Sequence, residues 1–404
     1  MEVLVPGLIR VVLVDPVSES RQLLERLLAG LGSVQVVHSG ARHEKAGEHI
    51  VKLAPELVVV NLDGDSRRGI ELLRTVATRH PETAVLPCGE ARDCTILLEA
   101  VRAGAREFLT LPSEPGELGK AVRRLTARTG ASPPGTRQDG PRLVAVTGAS
   151  GGVGCTSLAV NLATTLAKDA DREVAIVDFD LMLGSVDACL DVGPDRTLYQ
   201  VAQAIDHLDS EGLKRMLVRH ESGLYVLPRP AALKEIAQIE PETLCRLLAL
   251  LKTTFSTVII DTSKSLQTFD LAVFDVADAI LLVAQLEFQS LRNTARLLEF
   301  LRHSDEMSGR VRLIVNRAGS LITEIRPKKA EETLRMPITW QIPNATKVFR
   351  PAWNTGVPLV LAAAKSRAQA AIADLANALF HPATAANVLP RPGPFSPLAV
   401  GRRS

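Results

Sequence analysis

The amino-acid sequence predicts an α/β protein built from two doubly wound parallel sheets in tandem. Three observations carry this expectation. Short apolar runs alternate with amphipathic stretches along nearly the whole chain, a rhythm that places helices on both faces of parallel strands. A Pro/Gly-rich run at 129–141, Thr-Gly-Ala-Ser-Pro-Pro-Gly-Thr-Arg-Gln-Asp-Gly-Pro, interrupts that rhythm, and it can continue neither a helix nor a central strand. The next apolar run, from Leu143, ends in a glycine loop followed by good helix formers. The expected boundaries are a first domain at 1–128, a linker at 129–141, a second domain at 142–380 and a disordered, proline-rich tail at 381–404.

The chain has 404 residues, more than one ordinary domain, with 46% hydrophobic and 23% charged residues. Aromatics are only 3%, so the cores must rest on Leu, Val, Ile and Ala. A net charge of +2 without a Lys/Arg run argues against nucleic acid as a partner. No stretch approaches the roughly 20 apolar residues of a membrane span. No basic segment followed by a long apolar core marks a signal peptide. Five scattered cysteines without a C-x-x-C pair suggest free thiols in a reducing cytoplasm.

In the first domain, strands are expected at 9–14, 34–37, 57–62, 84–86 and 107–109, each followed by a helix. The segments "RVVLVDPVSESRQLLERLL" and "PELVVVNLDGDSRRGIELLRTV" resemble a response-regulator receiver domain, which implies a flavodoxin-like sheet. The receiver chemistry does not carry over. The acidic pair that holds Mg²⁺ in receivers reads Asp15-Pro16, Asn61 replaces the phospho-accepting aspartate, and Leu111 stands before Pro112 where the family has lysine. An amide forms no acyl phosphate, and one carboxylate holds Mg²⁺ poorly. Asp63 and Asp65 lie close enough to Asn61 to substitute for it, but they read as solvated loop acids. The expectation is a degenerate receiver-like domain used for docking or dimerisation.

In the second domain, strands are expected from Leu143 and at 173–177, 224–227, 257–260, 279–284, 311–315 and 338–342. Asp178, Asp180, Asp261 and Asn316 lie at strand carboxyl ends, where open α/β sheets gather their functional groups. Strand, glycine loop and helix together form a phosphate-binding architecture: glycines let backbone N–H groups face an anion, and the helix N-terminus adds positive potential. The backbone of Gly151, Gly152, Val153, Gly154, Cys155, Thr156 and Ser157 would cradle the phosphates of ATP or ADP. Thr156 and Asp261 would hold Mg²⁺ directly or through water, with Asp178 assisting, and Asp180 would orient attacking water as the catalytic group.

This constellation resembles the deviant P-loop NTPase domains of the MinD/ParA class. The matching segments are "VAIVDFDLMLGSVD", "TVIIDTS", "LIVNRAG" and "QIPNATKVFRPAWNTGVPLV". The resemblance implies that Asn316 reads adenine and that Pro343 and Asn344 flank the base. A degenerate receiver followed by such a domain is similar to the CpaE/TadZ family of Flp (Tad-type) pilus assembly proteins across residues 9 to 380. That resemblance implies a cytoplasmic homodimer near the inner membrane or cell pole, with a pilus secretion ATPase and inner-membrane assembly proteins as partners. The tail lacks a basic amphipathic helix, so membrane association would run through partners rather than direct insertion.

Two departures bear on activity. The MinD/ParA signature lysine is Ser150, and the ordinary P-loop lysine is Cys155, a substitution that also occurs in CpaE/TadZ-like proteins. Each lost charge-assisted phosphate contact costs on the order of 1.5–3 kcal/mol of binding. A missing cation beside a transferring phosphoryl group costs catalysis more. The expectation is a backbone-cradled nucleotide with little or no hydrolysis. Cys155 reads as a small residue that fits the loop rather than a reactive thiol, and Lys264, which could swing toward the phosphates, reads as a solvated loop lysine. Two alternatives stand beside the pilus scaffold: an active ATPase cycling between monomer and dimer, and a signalling protein with a non-phosphorylatable receiver.

Overall fold

The computed structural model describes residues 8–90, 94–105, 107–112, 115–127, 142–193, 196–205, 208–264, 266–319 and 325–380. The expected linker at 129–141 and the tail at 381–404 lie outside the described residues. In the first domain the elements run β1 (Ile9–Val14), α1 (Ser18–Ala29), β2 (Val34–Gly40), α2 (His43–Leu53), β3 (Leu57–Asn61), α3 (Ser66–Arg79), β4 (Ala84–Gly89), α4 (Cys94–Arg102), β5 (Leu109–Thr110) and α5 (Pro115–Ala127). All strands are parallel in the order β2-β1-β3-β4-β5, the doubly wound order of flavodoxin-like folds. Alternation along β1 explains the two helical layers. Val11 and Leu13 pack with α1 and α5, whereas Val12 and Val14 pack with α2 and α3. A strand buried on both faces reads as the continuous apolar run seen in the sequence.

The second domain begins with β6 (Leu143–Gly148), α6 (Cys155–Leu166), β7 (Val174–Phe179), α7 (Val186–Cys189), α8 (Leu198–Ala204), α9 (Ser210–Met216), β8 (Val218–Arg219), β9 (Tyr225–Leu227), α10 (Leu233–Ile236) and α11 (Pro241–Thr254). It continues with β10 (Thr257–Thr262), α12 (Thr268–Val276), β11 (Ala279–Ala284), α13 (Phe288–Leu301), α14 (Asp305–Arg310) and β12 (Val311–Ala318). It ends with α15 (Pro327–Leu334), β13 (Ile338–Pro343), α16 (Thr346–Thr355), α17 (Leu359–Ala362) and α18 (Arg367–Phe380). The sheet order is β13-β12-β11-β6-β10-β7-β9-β8. Every pair is parallel except β8 with β9, a short antiparallel hairpin turned at Gly223. Val144 and Val146 face one core layer, and Leu143 and Ala145 face the other. Each fully buried Val or Leu contributes about 1.5–3 kcal/mol relative to exposure, so β6 is a rigid support for the loop that follows it.

The sequence reading missed β8 and helices α7 to α10, all too short to show a period, and it placed no helix at α12 or at α14 to α17. Cys88, Cys155 and Cys189 are free and buried, but Cys245 is disulfide-bonded, which corrects the expectation of free thiols throughout. Leu97 of α4 is buried within the second domain's core, and Arg102 of α4 pairs with Asp275 of α12 at 3.8 Å. Among the described residues no helix is long and apolar enough to cross a membrane.

Candidate functional site

Strands β6, β10 and β7 are neighbours in the second sheet, so the loops leaving their carboxyl ends face one another. After β6 the glycine loop turns through Gly152 and Gly154 at φ +74° and +101°, values that strain any residue with a Cβ. Gly148 is required for another reason: a Cβ there would come within 2.7 Å of Cys155 Sγ and 2.8 Å of Val153 Cγ2. Helix α6 then opens with no side-chain cap, which leaves its first N–H groups turned toward the loop without a side-chain partner. Gly151 and Gly152 are exposed, Ser157 is half-buried, and Val153, Cys155 and Thr156 are buried.

Thr156 Oγ1 donates to Asp261 Oδ2 at 2.5 Å. Asp261 is fully buried, and its Oδ1 has no hydrogen-bond partner among the described residues. A buried acceptor left unpaired is costly. Burial pushes the Asp261 carboxyl up to about 7, although the Thr156 hydroxyl and Lys264 favour its charge. An orphan carboxylate oxygen beside a threonine hydroxyl suits a hydrated Mg²⁺. Among the described residues no group of three or more His, Cys, Asp or Glu could hold a metal alone. Such an ion would therefore take the rest of its oxygens from phosphate and water, as Mg²⁺ commonly does.

Asp178 is placed differently. Its Oδ1 accepts from Asp180 N at 3.2 Å and its Oδ2 from Val186 N at 3.1 Å. Burial, and next the charge of Asp261, hold its carboxyl well above the usual range. A Cβ at Gly184 would collide with that carboxylate, so Asp178 fixes the loop after β7, and both of its oxygens are engaged there. Asp180 is 8% exposed; Oδ1 accepts from Leu183 N and Oδ2 pairs with Lys264 Nζ, both at 3.2 Å.

Asn316 at the end of β12 is engaged with the glycine loop. Its Nδ2 donates to Val153 O at 2.8 Å and its Oδ1 accepts from Arg317 N at 2.9 Å, so the amide braces the glycine loop. Gly154 lies so close beneath that amide that a Cβ would overlap it. Pro343 and exposed Asn344 sit at the end of β13 on the far side of β12, where Asn344 Oδ1 accepts from Thr346 Oγ1 at 2.8 Å. Cys155 is 2% exposed, and burial, reinforced by Asp261, pushes its thiol far above the ordinary value. It fills the loop and is not a reactive thiolate.

Sequence reasoning missed two contributors. Ser150 Oγ accepts from Asn293 Nδ2 at 3.0 Å, and Gln285 Nε2 reaches the Gly152 and Val153 carbonyls at 3.4 Å. These come from the residue after β11 and from α13, and belong to no motif. Lys264 was the legible one, three residues after Asp261. It is not the solvated lysine expected, because its side chain is only 30% exposed and pairs with Asp180.

The receiver pocket is closed on itself. Asp15 Oδ1 accepts from Val17 N at 2.8 Å and Oδ2 from Ser20 Oγ at 2.6 Å. Asn61 Nδ2 donates to Ser20 Oγ at 3.1 Å, and Asn61 Oδ1 accepts from Asp63 N at 2.9 Å. Asp63 accepts from Glu90 N at 3.1 Å and Asp65 caps α3, so neither is the loosely solvated acid expected. Leu111 joins the apolar core where receivers place a lysine.

Comparison with known proteins agrees with both folds. The AAA domain family model matches residues 141–311, and the response regulator receiver domain model matches residues 11–123. An uncharacterized ATP-binding protein of Methanocaldococcus jannaschii is 26% identical over 238 residues, covering 58% of this chain and 86% of that protein. The septum site-determining protein MinD of Buchnera aphidicola is 26% identical over 234 residues, covering 54% of this chain and 84% of MinD. The crystal structure of a ParA family ATPase from Chlorobium tepidum TLS superposes with a TM-score of 0.56 at 27% identity, covering 59% of this chain and 98% of that one. The chain thus joins a receiver-like fold to a MinD/ParA-like P-loop NTPase fold.

Proposed function

We propose that this chain is a nucleotide-holding homodimer that positions a larger machine, and that the machine is a Flp/Tad-type pilus secretion apparatus. One observation carries the nucleotide reading: a glycine loop turned through two positive-φ glycines, whose following threonine bonds a buried aspartate with an orphan oxygen. The ligand is ATP or ADP with Mg²⁺, cradled by the backbone of 151–157 and approached by Thr156 and Asp261. Weak or absent hydrolysis follows from Ser150 and Cys155 standing where the class carries lysines. Dimerisation through this face is supported by Leu183 and Phe288, which are 83% and 76% exposed beside the loops after β7 and β11. The pilus machine, its secretion ATPase and inner-membrane proteins as partners, and a cytoplasmic place near the membrane or pole rest on the receiver–NTPase fusion and the sequence resemblance.

A titration with MgATP and MgADP, paired with a hydrolysis assay, tests the reading. Micromolar to millimolar binding that Thr156→Val removes, with turnover near background, is the expected result. Turnover that Asp180→Ala abolishes would favour the cycling ATPase instead. The closed pocket around Asn61 favours docking over phosphorylation control for the first domain.

A further inference from the structure

We propose that Lys264 supplies, from the loop after β10, the phosphate-binding cation that positions 150 and 155 lack. The inference rests on the nucleotide-site reading above and adds to it a residue, a competitor and a ligand class. That class is nucleoside di- and triphosphates, in preference to monophosphates.

Strand β10 lies between β6 and β7 in the sheet. A side chain leaving its carboxyl end therefore stands between the glycine loop on one side and Asp180 on the other. Lys264 Nζ is 3.2 Å from Asp180 Oδ2. The loop that carries Lys264 is held at both ends. Asp270, 1% exposed at the start of α12, accepts from Ser263 N at 3.0 Å, Ser263 Oγ at 2.6 Å and Gln267 N at 2.9 Å. These bonds tie down the backbone on both sides of Lys264, so its stem starts from a fixed point. Burial works against the Lys264 ammonium, yet its neighbours, the Asp180 and Asp261 carboxylates among them, outweigh it and raise its pKa. The lysine is thus a held cation beside the carboxylates that end β7 and β10.

The two usual positions are meanwhile occupied. Ser150 is bonded to Asn293, and Cys155 is buried against Gly148. Without a ligand, Asp180 holds Lys264. A β- or γ-phosphate would compete with that carboxylate for the ammonium, a compact point charge on a flexible stem well suited to phosphate.

The competition gives the two members of the pair opposite signs. In titrations of the full chain with MgATP, MgADP and AMP, Lys264→Gln should weaken ATP and ADP roughly ten- to hundredfold, the scale of one charge-assisted contact. AMP affinity should change much less. Lys264→Arg should retain most of the affinity. Asp180→Asn keeps an acceptor for Leu183 N but removes the competing charge, and it should tighten ATP binding several-fold. A lysine that only staples the loop after β7 predicts otherwise: both variants would weaken binding, or neither would. Wild-type binding that Thr156→Val removes but Lys264→Gln leaves intact would overturn the role of Lys264 and keep the nucleotide site. A wild-type chain that binds no nucleotide at millimolar concentration would overturn both.

Discussion

The two domains carry equivalent sites at the carboxyl ends of similar sheets, and each site has lost the residues its fold usually relies on. They have not ended in the same condition. Around Asn61 every substitution has been absorbed: Asp15, Ser20, Asn61 and Asp63 satisfy one another, and Leu111 joins the core. Around Asp261 the polar groups are not all satisfied, with an orphan carboxylate oxygen and two carboxyls raised by burial. Burying unpaired polar groups costs stability, so a pocket without a ligand tends to close as the first one has. The difference teaches that substitution of signature residues does not by itself mark a dead site. The satisfaction of the remaining polar atoms discriminates better.

Exchanging Asp and Asn at the two strand ends tests that difference most severely, because the signs should be opposite. Asn61→Asp puts a second buried carboxylate against Asp15, with the Ser20 hydroxyl as one donor between them. It should cost the first domain about 3–5 kcal/mol, as an unpaired buried charge does. Native-state hydrogen exchange of the amides of β1, β3 and β4 would read the loss. Neither wild type nor this variant should retain phosphate from acetyl phosphate and Mg²⁺. A retained label on either would break the comparison.

Asp261→Asn should instead stabilise the nucleotide-free protein at pH 8 by about 1–3 kcal/mol, since burial penalises the charge that it removes. The folded protein holds the Asp261 proton up to a pH of about 7, whereas the unfolded chain releases it near the ordinary carboxylate value. The folded state thus binds more protons in between, and the wild type loses stability as pH rises from about 4 to 7. The advantage of the variant should grow across that window and level off above it. Denaturant unfolding at pH 5 and pH 8 measures it. An equal difference at both values would mean that Asp261 is not held neutral by burial.

Much of this was legible in sequence, for identifiable reasons. The long strands β1, β3, β6, β10 and β11 are buried on both faces, and double burial leaves an uninterrupted apolar run. Glycines 152 and 154 were readable because their backbone angles allow little else. The short helices after β7 were not, since two turns carry no period. At the site, Thr156 and Asp261 followed from motif spacing and do meet. The partners of Asp178, Asp180 and Asn316 did not follow. Whether a carboxylate faces a ligand or a backbone N–H is decided by loop curvature, such as the approach of Gly184 to Asp178. Gln285 and Asn293 reach the loop across β11 and α13, a tertiary contact with no local signature.

The smallest effect is expected at the residue that first makes the loop look defective. Cys155 Sγ lies against Gly148 and is 2% exposed, with its thiol held neutral by burial. It brings packing to the loop but no charge. Cys155→Ala should cost about 1 kcal/mol of stability through the small cavity it leaves, and it should change ATP affinity by less than about threefold, well short of one lost charge-assisted contact. Calorimetric titration beside thermal unfolding separates the two quantities. A tenfold loss of affinity with the fold intact would mean that the sulfur sets the direction of the loop's N–H groups. Position 155 would then need a side chain of that shape, and the contrast with the closed pocket at Asn61 would rest on packing as well as on unpaired charge.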